Sequence, residues 1–219
     1  MRKISKILKE DDLGDMGIGA MIIFIAIVMV AAIAASVLIQ TANRLEIQAM
    51  TTGGDTTREV STGISVIDIE GLNESGLITK MCISVRTRAG SSDVDLKQTV
   101  IEITDGSKKT LLTYDDAQFS TVVDDGSDVF TDGTWTMDLE HFGIIEIQDA
   151  DNSSSATNPV INHGDIVMLC IDTAACFPDA GGLKQRDNIM GLVIPEQGAA
   201  ATFAFRVPSS LTEAIYDLY

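Results

Sequence analysis

The chain has 219 residues, 45% of them hydrophobic, enough for one sizeable core plus an appended segment. Its 15 basic and 32 acidic side chains give a formal charge of −17, which repels a phosphate backbone and makes nucleic acid a poor partner. Three cysteines without CxxC spacing exclude a disulfide-dense scaffold and a zinc or dithiol redox motif.

The N-terminus is "MRKISKILKEDDLG", in which Arg2, Lys3, Lys6 and Lys9 precede Glu10, Asp11 and Asp12. Taking these four bases and three acids from the chain's 15 and 32 leaves 11 and 29, a charge of −18 on the remainder. From Met16 to Asn43, 28 residues, no side chain is charged. As a helix this run is about 42 Å long at about 1.5 Å per residue, more than a bilayer core of about 30 Å. Apolar residues follow one another without a polar face, so the helix must be buried on every side. At about 1.5–3 kcal/mol per large side chain, leaving it in water costs tens of kcal/mol. The run exceeds the h-region of about 7–15 residues of a secretory signal, although Ala32-Ile33-Ala34 has the form of an Ala-x-Ala site. Basic residues ahead of it hold the N-terminus in the cytoplasm and send the acidic remainder outside. Ala31, Ala32, Ala34 and Ala35 allow close helix approach, or simply favour helix. Leu45, Ile47 and Met50 are then spaced among polar residues, and Gly53-Gly54 reads as a break or hinge.

Beyond about Val60 the period changes. "GISVIDIEG", "ITKMCISVRTRAG", "QTVIEITDG", "TLLTYDD", "GIIEIQD", "GDIVMLCIDT", "NIMGLVIPEQG" and "ATFAFRVPSS" each read as a short strand followed by turn chemistry, eight candidates with the spacing of an antiparallel sandwich. Pro159, Pro178, Pro195 and Pro208 fall at strand ends or in loops, where a missing N–H does little harm. The closing "SLTEAIYDLY" matches a capping box and equally reads as a last strand.

Candidate chemistry is sparse. His141 and His163 have no GxSxG, HExxH or P-loop pattern beside them, so an enzyme is not expected. Acidic clusters lie at Asp124, Asp125, Asp128 and Asp132, and at Asp149, Asp151 and Asn152. Neither forms an EF-hand loop; both are solvated loops or weak sites for calcium or magnesium, with Asp149 and Asp151 the first candidates. No other cofactor is expected. Asn73 and Asn152 satisfy the N-x-[ST] acceptor rule, whereas Asn158 fails because Pro159 follows. Cys170 and Cys176 are a candidate disulfide across a short loop, against the alternative of a buried thiol at Cys170. Cys82 reads as a small core residue.

Taken together, "GIGAMIIFIAIVMVAAIAASVLIQTA" (17–42), "RAGSSDVDLKQTVIEITDG" (88–106), "GDIVMLCID" (164–172), "VIPEQGA" and "VPSSL" resemble an archaeal flagellin, or archaellin, the filament subunit of the archaellum. The resemblance implies an α+β chain: a long N-terminal hydrophobic helix followed by an Ig-like antiparallel β-sandwich. It also implies a leader, residues 1–14, removed by a prepilin-type peptidase between Gly14 and Asp15; an assembly helix, 15–58; and an outer domain, 59–219. Gly17, Ile18, Gly19, Ile22, Phe24, Ile27, Val30, Ala31, Ala35 and Leu38 become candidate contacts of that helix. Ala20 stands where the family more commonly has threonine. Type IV pilins share the leader and helix, but carry glutamate at the fifth mature position, which here is Gly19.

The function so implied is a non-enzymatic subunit that polymerises into a motility filament, extracellular when assembled and membrane-inserted as a precursor. Implied partners are further copies of the chain, other archaellins, the peptidase, and the archaellum motor and membrane platform. The competing readings are a type IV pilin-like adhesion subunit and a monomeric membrane-anchored binding domain.

Overall fold

The computed structural model describes residues 4–121, 128–131, 135 and 137–219, with side chains from residue 17 onward. It divides into two compact units, Met1–Gly54 and Asp55–Tyr219.

One helix, α1 (Ile4–Ser61), runs through the first unit and into the start of the second. Gly53-Gly54, expected as a break or hinge, does not break the helix, although the division between the two units falls directly after it; the 58/59 boundary read from the sequence falls within the last turn of α1. Neither glycine has a positive φ. Two helical glycines cost only about 1 kcal/mol each relative to alanine, and the helix continues unbroken through them. The helix ends where Thr62 N donates to Arg58 O at 2.8 Å.

The second unit is built of strands. β1 (Ile64–Glu74) and β2 (Leu77–Thr87) form a hairpin; Ser75 (φ 58°) and Gly76 (φ 85°) make its two-residue turn, the left-handed pair that matches strand twist. Then come β3 (Val94–Asp95), β4 (Val100–Thr104), β5 (Lys109–Thr121), β6 (His141–Gln148), β7 (Val160–Ile161) and β8 (Ile166–Asp172). A single-turn helix α2 (Thr173–Cys176) is capped by the Asp172 carboxylate. It is followed by β9 (Asn188–Ile194), β10 (Ala201–Arg206) and β11 (Ile215–Asp217). All eight strands expected from the sequence are present, and "SLTEAIYDLY" ends in a strand, with the Tyr216 hydroxyl accepting from the amides of Thr212 and Glu213.

Nine strands form one sheet in the order β10-β9-β4-β5-β6-β8-β2-β1-β11, and β3 pairs with β7. The sheet curls over its core until Gly63 bridges Ala199, bringing its β1 and β10 ends together in a sandwich-like domain. Among the described residues every strand pair is antiparallel except β5–β6. A parallel pair needs a crossover of a dozen or more residues, and residues 122–140 supply it.

That crossover explains the composition of the central strands. Met81, Ile83 and Val85 of β2, Phe142 and Ile144 of β6, and Val167, Leu169 and Ile171 of β8 face the main core. Alternate residues Cys82, Ile145 and Cys170 face a second cluster with Phe130, Trp135 and Met137. Strands buried on both faces read as near-continuous apolar runs, as "KMCISV" and "IVMLCID" do. In the crossover, the Trp135 indole donates to Val129 O at 2.8 Å, and the Lys80 ammonium reaches Phe130 O at 2.8 Å while lying 5.1 Å over the Trp135 ring. On the other side of the domain Gly191 lies directly under the Phe203 ring, where no side chain fits.

Phe142 is fully buried in the main core. Phe142→Ala is expected to cost about 3–5 kcal/mol, read as a fall of roughly 10 °C in the melting temperature of the detergent-solubilised chain. An unchanged midpoint would contradict the core described.

Candidate functional site

The candidate residues of α1 present a surface rather than a pocket. Its described large apolar side chains are exposed all round in the single chain, from 49% at Val28 to 78% at Val60. Ile18, Ile22, Phe24, Ile27, Val30 and Leu38 are all among them, and a Cβ at Gly17 or Gly19 would meet nothing within 4 Å. Ala31 and Ala35 are likewise exposed. Two polar groups in the run bond within the helix: Thr41 Oγ1 donates to Val37 O at 2.8 Å and Gln40 Nε2 to Ser36 Oγ at 3.4 Å. Such back-bonding satisfies polar groups in surroundings without water. Among the described residues this is the one helix long and apolar enough to cross a membrane. The Gly14–Asp15 bond lies within α1, and its side chains lie outside the described residues, as do Asp124, Asp125 and Asp132.

In the β unit the structure brings Asp149 and Asp151 together and adds Asp165, with one carboxylate oxygen from each within 4.8 Å of the others. Asp149 Oδ1 accepts from Asp151 N at 3.1 Å and its Oδ2 from Ser154 N at 3.0 Å. Asp151 accepts from Ser153 N at 3.1 Å and from Asn162 Nδ2 at 2.7 Å. Asp165 is buried and accepts from Asn162 N at 2.8 Å and Ala150 N at 3.4 Å. Asp165 was not singled out in the sequence because it follows the turn "NHG", with no local ligand spacing to mark it; only the approach of the residues before β8 to the loop after β6 completes the trio. The hydrogen bonds from Ser153 and Asn162 hold the exposed Asp151 carboxyl below its ordinary 3.8. Burial, then the charges of Asp149 and Asp165, push Glu146 above its ordinary 4.5. Three carboxylates converge without an ion pair to lysine or arginine among the described residues, and the Ser154 hydroxyl is buried without a hydrogen-bond partner. Hard oxygen donors in this number and spacing suit a calcium-type ion.

The remaining candidates separate. Asn152 is exposed at φ 55°. Asn73 ends β1 half-buried, its amide donating to Glu213 O at 2.8 Å and its carbonyl accepting from Gly76 N at 3.0 Å. His141 lies 3.9 Å from Asp138. His163 lines a cavity of about 410 Å³ with Arg86, Arg88 and Asp165.

The Cys170–Cys176 pairing expected from the sequence is corrected. Alternation along β8 puts Cys170 in the second cluster, whereas Cys176, in α2, packs in the main core. Burial and the neighbouring Asp172 push the Cys176 thiol up to about 12. The sulfur opposite Cys170 is that of Cys82, at 3.8 Å.

A family profile described as archaeal-type flagellin matches residues 14–205. The chain belongs to the archaeal-type flagellin family. It is 42% identical to flagellin B2 of Methanocaldococcus jannaschii over 198 residues, 90% of each chain. It is 32% identical to flagellin B3 of Thermococcus kodakarensis, over 94% of this chain and 97% of that one. Among solved structures, the crystal structure of archaeal flagellin FlaB1 from M. jannaschii superposes with TM-score 0.62 at 28% identity, covering 72% of this chain and 96% of that one. The archaeal flagellum of Methanospirillum hungatei shares the fold at TM-score 0.62 and 16% identity, over 92% and 98% of the chains. Helix and sheet in this flagellin are thus the family's architecture, and the acidic trio sits in its β unit.

The two shifted carboxyls respond oppositely to pH. Asp151, lowered in the folded state, contributes stability above its unfolded value that is lost as pH falls through the folded one; Glu146, raised, contributes below its unfolded value and loses it as pH rises through the folded one. Asp151→Asn is therefore expected to flatten the loss of melting temperature below about pH 4, and Glu146→Gln to raise the melting temperature at neutral pH with no effect in acid. Thermal melts across pH check both signs.

Proposed function

We infer that this flagellin is the subunit of an archaellum filament, assembled through α1 and displayed outside the cell through its acidic β unit. The observation that carries the reading is the all-round apolar exposure of α1 in a chain of this family. Such a surface demands lipid or protein neighbours at every stage. In the precursor the helix lies in the membrane with the basic leader inside the cell. Cleavage by a prepilin-type peptidase at Gly14–Asp15 then frees it, a reading supported by the family match beginning at residue 14. Helices from many copies bundle into the filament core, trading lipid for protein while keeping the same surface buried. Repetition of a heterologous, non-closing contact makes a filament rather than a ring. Other archaellins sharing the filament, and the motor and membrane platform that turn it for swimming, are the partners this role requires; the chain's part is structural, not enzymatic.

Two local roles accompany it. Asn152, exposed where Asn73 is engaged, is the favoured glycan acceptor. Asp149, Asp151 and Asp165 would hold a calcium or magnesium ion, tying the loop after β6 to the turn before β8.

Deleting the gene is expected to abolish swimming; retained swimming with lost surface attachment would favour the pilin reading instead. Mass spectrometry of sheared filaments should find Asp15 at the N-terminus, a glycan on the Asn152 peptide and none on the Asn73 peptide. Met1 retained on a detergent-soluble monomer would favour the membrane-anchored reading.

At about 10 mM calcium, which is 10–100 times the Kd of a weak extracellular site, the melting temperature is expected to rise by roughly 5 °C. EDTA should reverse the shift and Asp165→Asn abolish it. Equal melting with and without calcium would count against the ion.

A further inference from the structure

We propose that Cys82 and Cys170 are a modification site, joined as a cross-strand disulfide in the mature β unit. The two are register partners on the adjacent inner strands β2 and β8. Strand alternation points both side chains to the same face, into the second cluster. Their sulfurs stand 3.8 Å apart and both residues are fully buried. Directly opposed residues of an antiparallel pair have Cβ atoms about 4.5–5.5 Å apart, and a disulfide takes about 3.5–4.5 Å. Closing the bond therefore asks for a local approach of about 1 Å, with no change of register. Cys176 does not compete, being in the main core with its thiol held protonated.

The oxidant is a disulfide of a protein or small-molecule donor outside the cell, acting by thiol–disulfide exchange. One cysteine thiolate attacks a donor sulfur, forming a mixed disulfide and releasing one donor thiolate. The second cysteine thiolate then displaces the other donor sulfur. The two protein thiols lose two electrons and two protons, and the donor leaves as a dithiol. Phe130, Trp135 and Met137 cover the finished pair, so exchange belongs to the stage before that cover closes, after which the bond is shielded from reductants. It links residues 88 apart in sequence and so removes a long loop's freedom from the unfolded chain. The proposal rests on the filament reading only for the placement outside the cell.

The test is made on filaments sheared from cells and, in parallel, on the membrane fraction, both alkylated with iodoacetamide in denaturant without reductant and digested for mass spectrometry. The expected result is a Cys82 peptide joined to a Cys170 peptide, neither alkylated, with Cys176 alkylated; reduction separates the pair. Alkylated Cys82 and Cys170 in filaments would overturn the proposal. A chain found in the membrane fraction alone would instead overturn the filament reading, with the cysteine state there still read directly. Dithiothreitol, which reaches the bond once heating opens the cover, is further expected to lower the melting temperature of filaments by about 10 °C and to leave a Cys82→Ala, Cys170→Ala filament unchanged. An unchanged natural filament counts against the bond, and should the double variant fail to fold, the alkylation pattern of the natural chain decides.

Discussion

A helix with no polar face cannot stand in water, and the organisation of this flagellin follows from that constraint. The exposed apolar side chains of α1 would cost tens of kcal/mol in solvent, comparable to or larger than the stability of a whole domain. In the proposed assembly the chain passes from one buried state to another: lipid first, then the helices of other subunits. Neither state needs a new surface. In the proposed assembly what separates them is the charged leader, which would sit at the cytoplasmic face and would have no place in a dry bundle.

The β unit answers the opposite requirement. Its surface is acidic, on strands as well as loops, so its stability has to come from inside. The curled nine-stranded sheet encloses one core, and the crossover carrying Phe130 and Trp135 builds a second on the outer face of β6, β8 and β2. Those three strands are buried on both sides and lie at the centre of the sheet. The acidic trio lies beside them, between the loop that leaves β6 and the turn that enters β8.

Much of this could be read along the chain because periodicity is a local property. The uncharged run from Met16 to Asn43 and the eight strand segments are each legible within a window of a few residues, and each is found. The failures share a cause. Gly53-Gly54 looks like a break because glycine is a weak helix former, yet the helix continues through both residues and only the division between the two units falls there. Cys170 and Cys176 look like partners because they are close in sequence, yet strand alternation sends Cys170 to the far face of the sheet, opposite Cys82. Asp165 carried no signal because its neighbours Asp149 and Asp151 lie on a different loop.

The sequence by itself determined that this protein has an apolar helix that must be hidden, an acidic strand-rich domain, and the family to which both belong. The first two follow from composition, from the length of an uncharged run and from strand-length segments punctuated by turn residues, which each stretch of chain expresses alone; the family follows from the resemblance of particular segments. Only the tertiary structure decided the parallel β5–β6 pair, the second cluster under Trp135, the meeting of Cys82 with Cys170, and the convergence of three aspartates. Each of these joins residues that are distant along the chain, and which of them meet is set by sheet order and register, quantities that no local pattern contains.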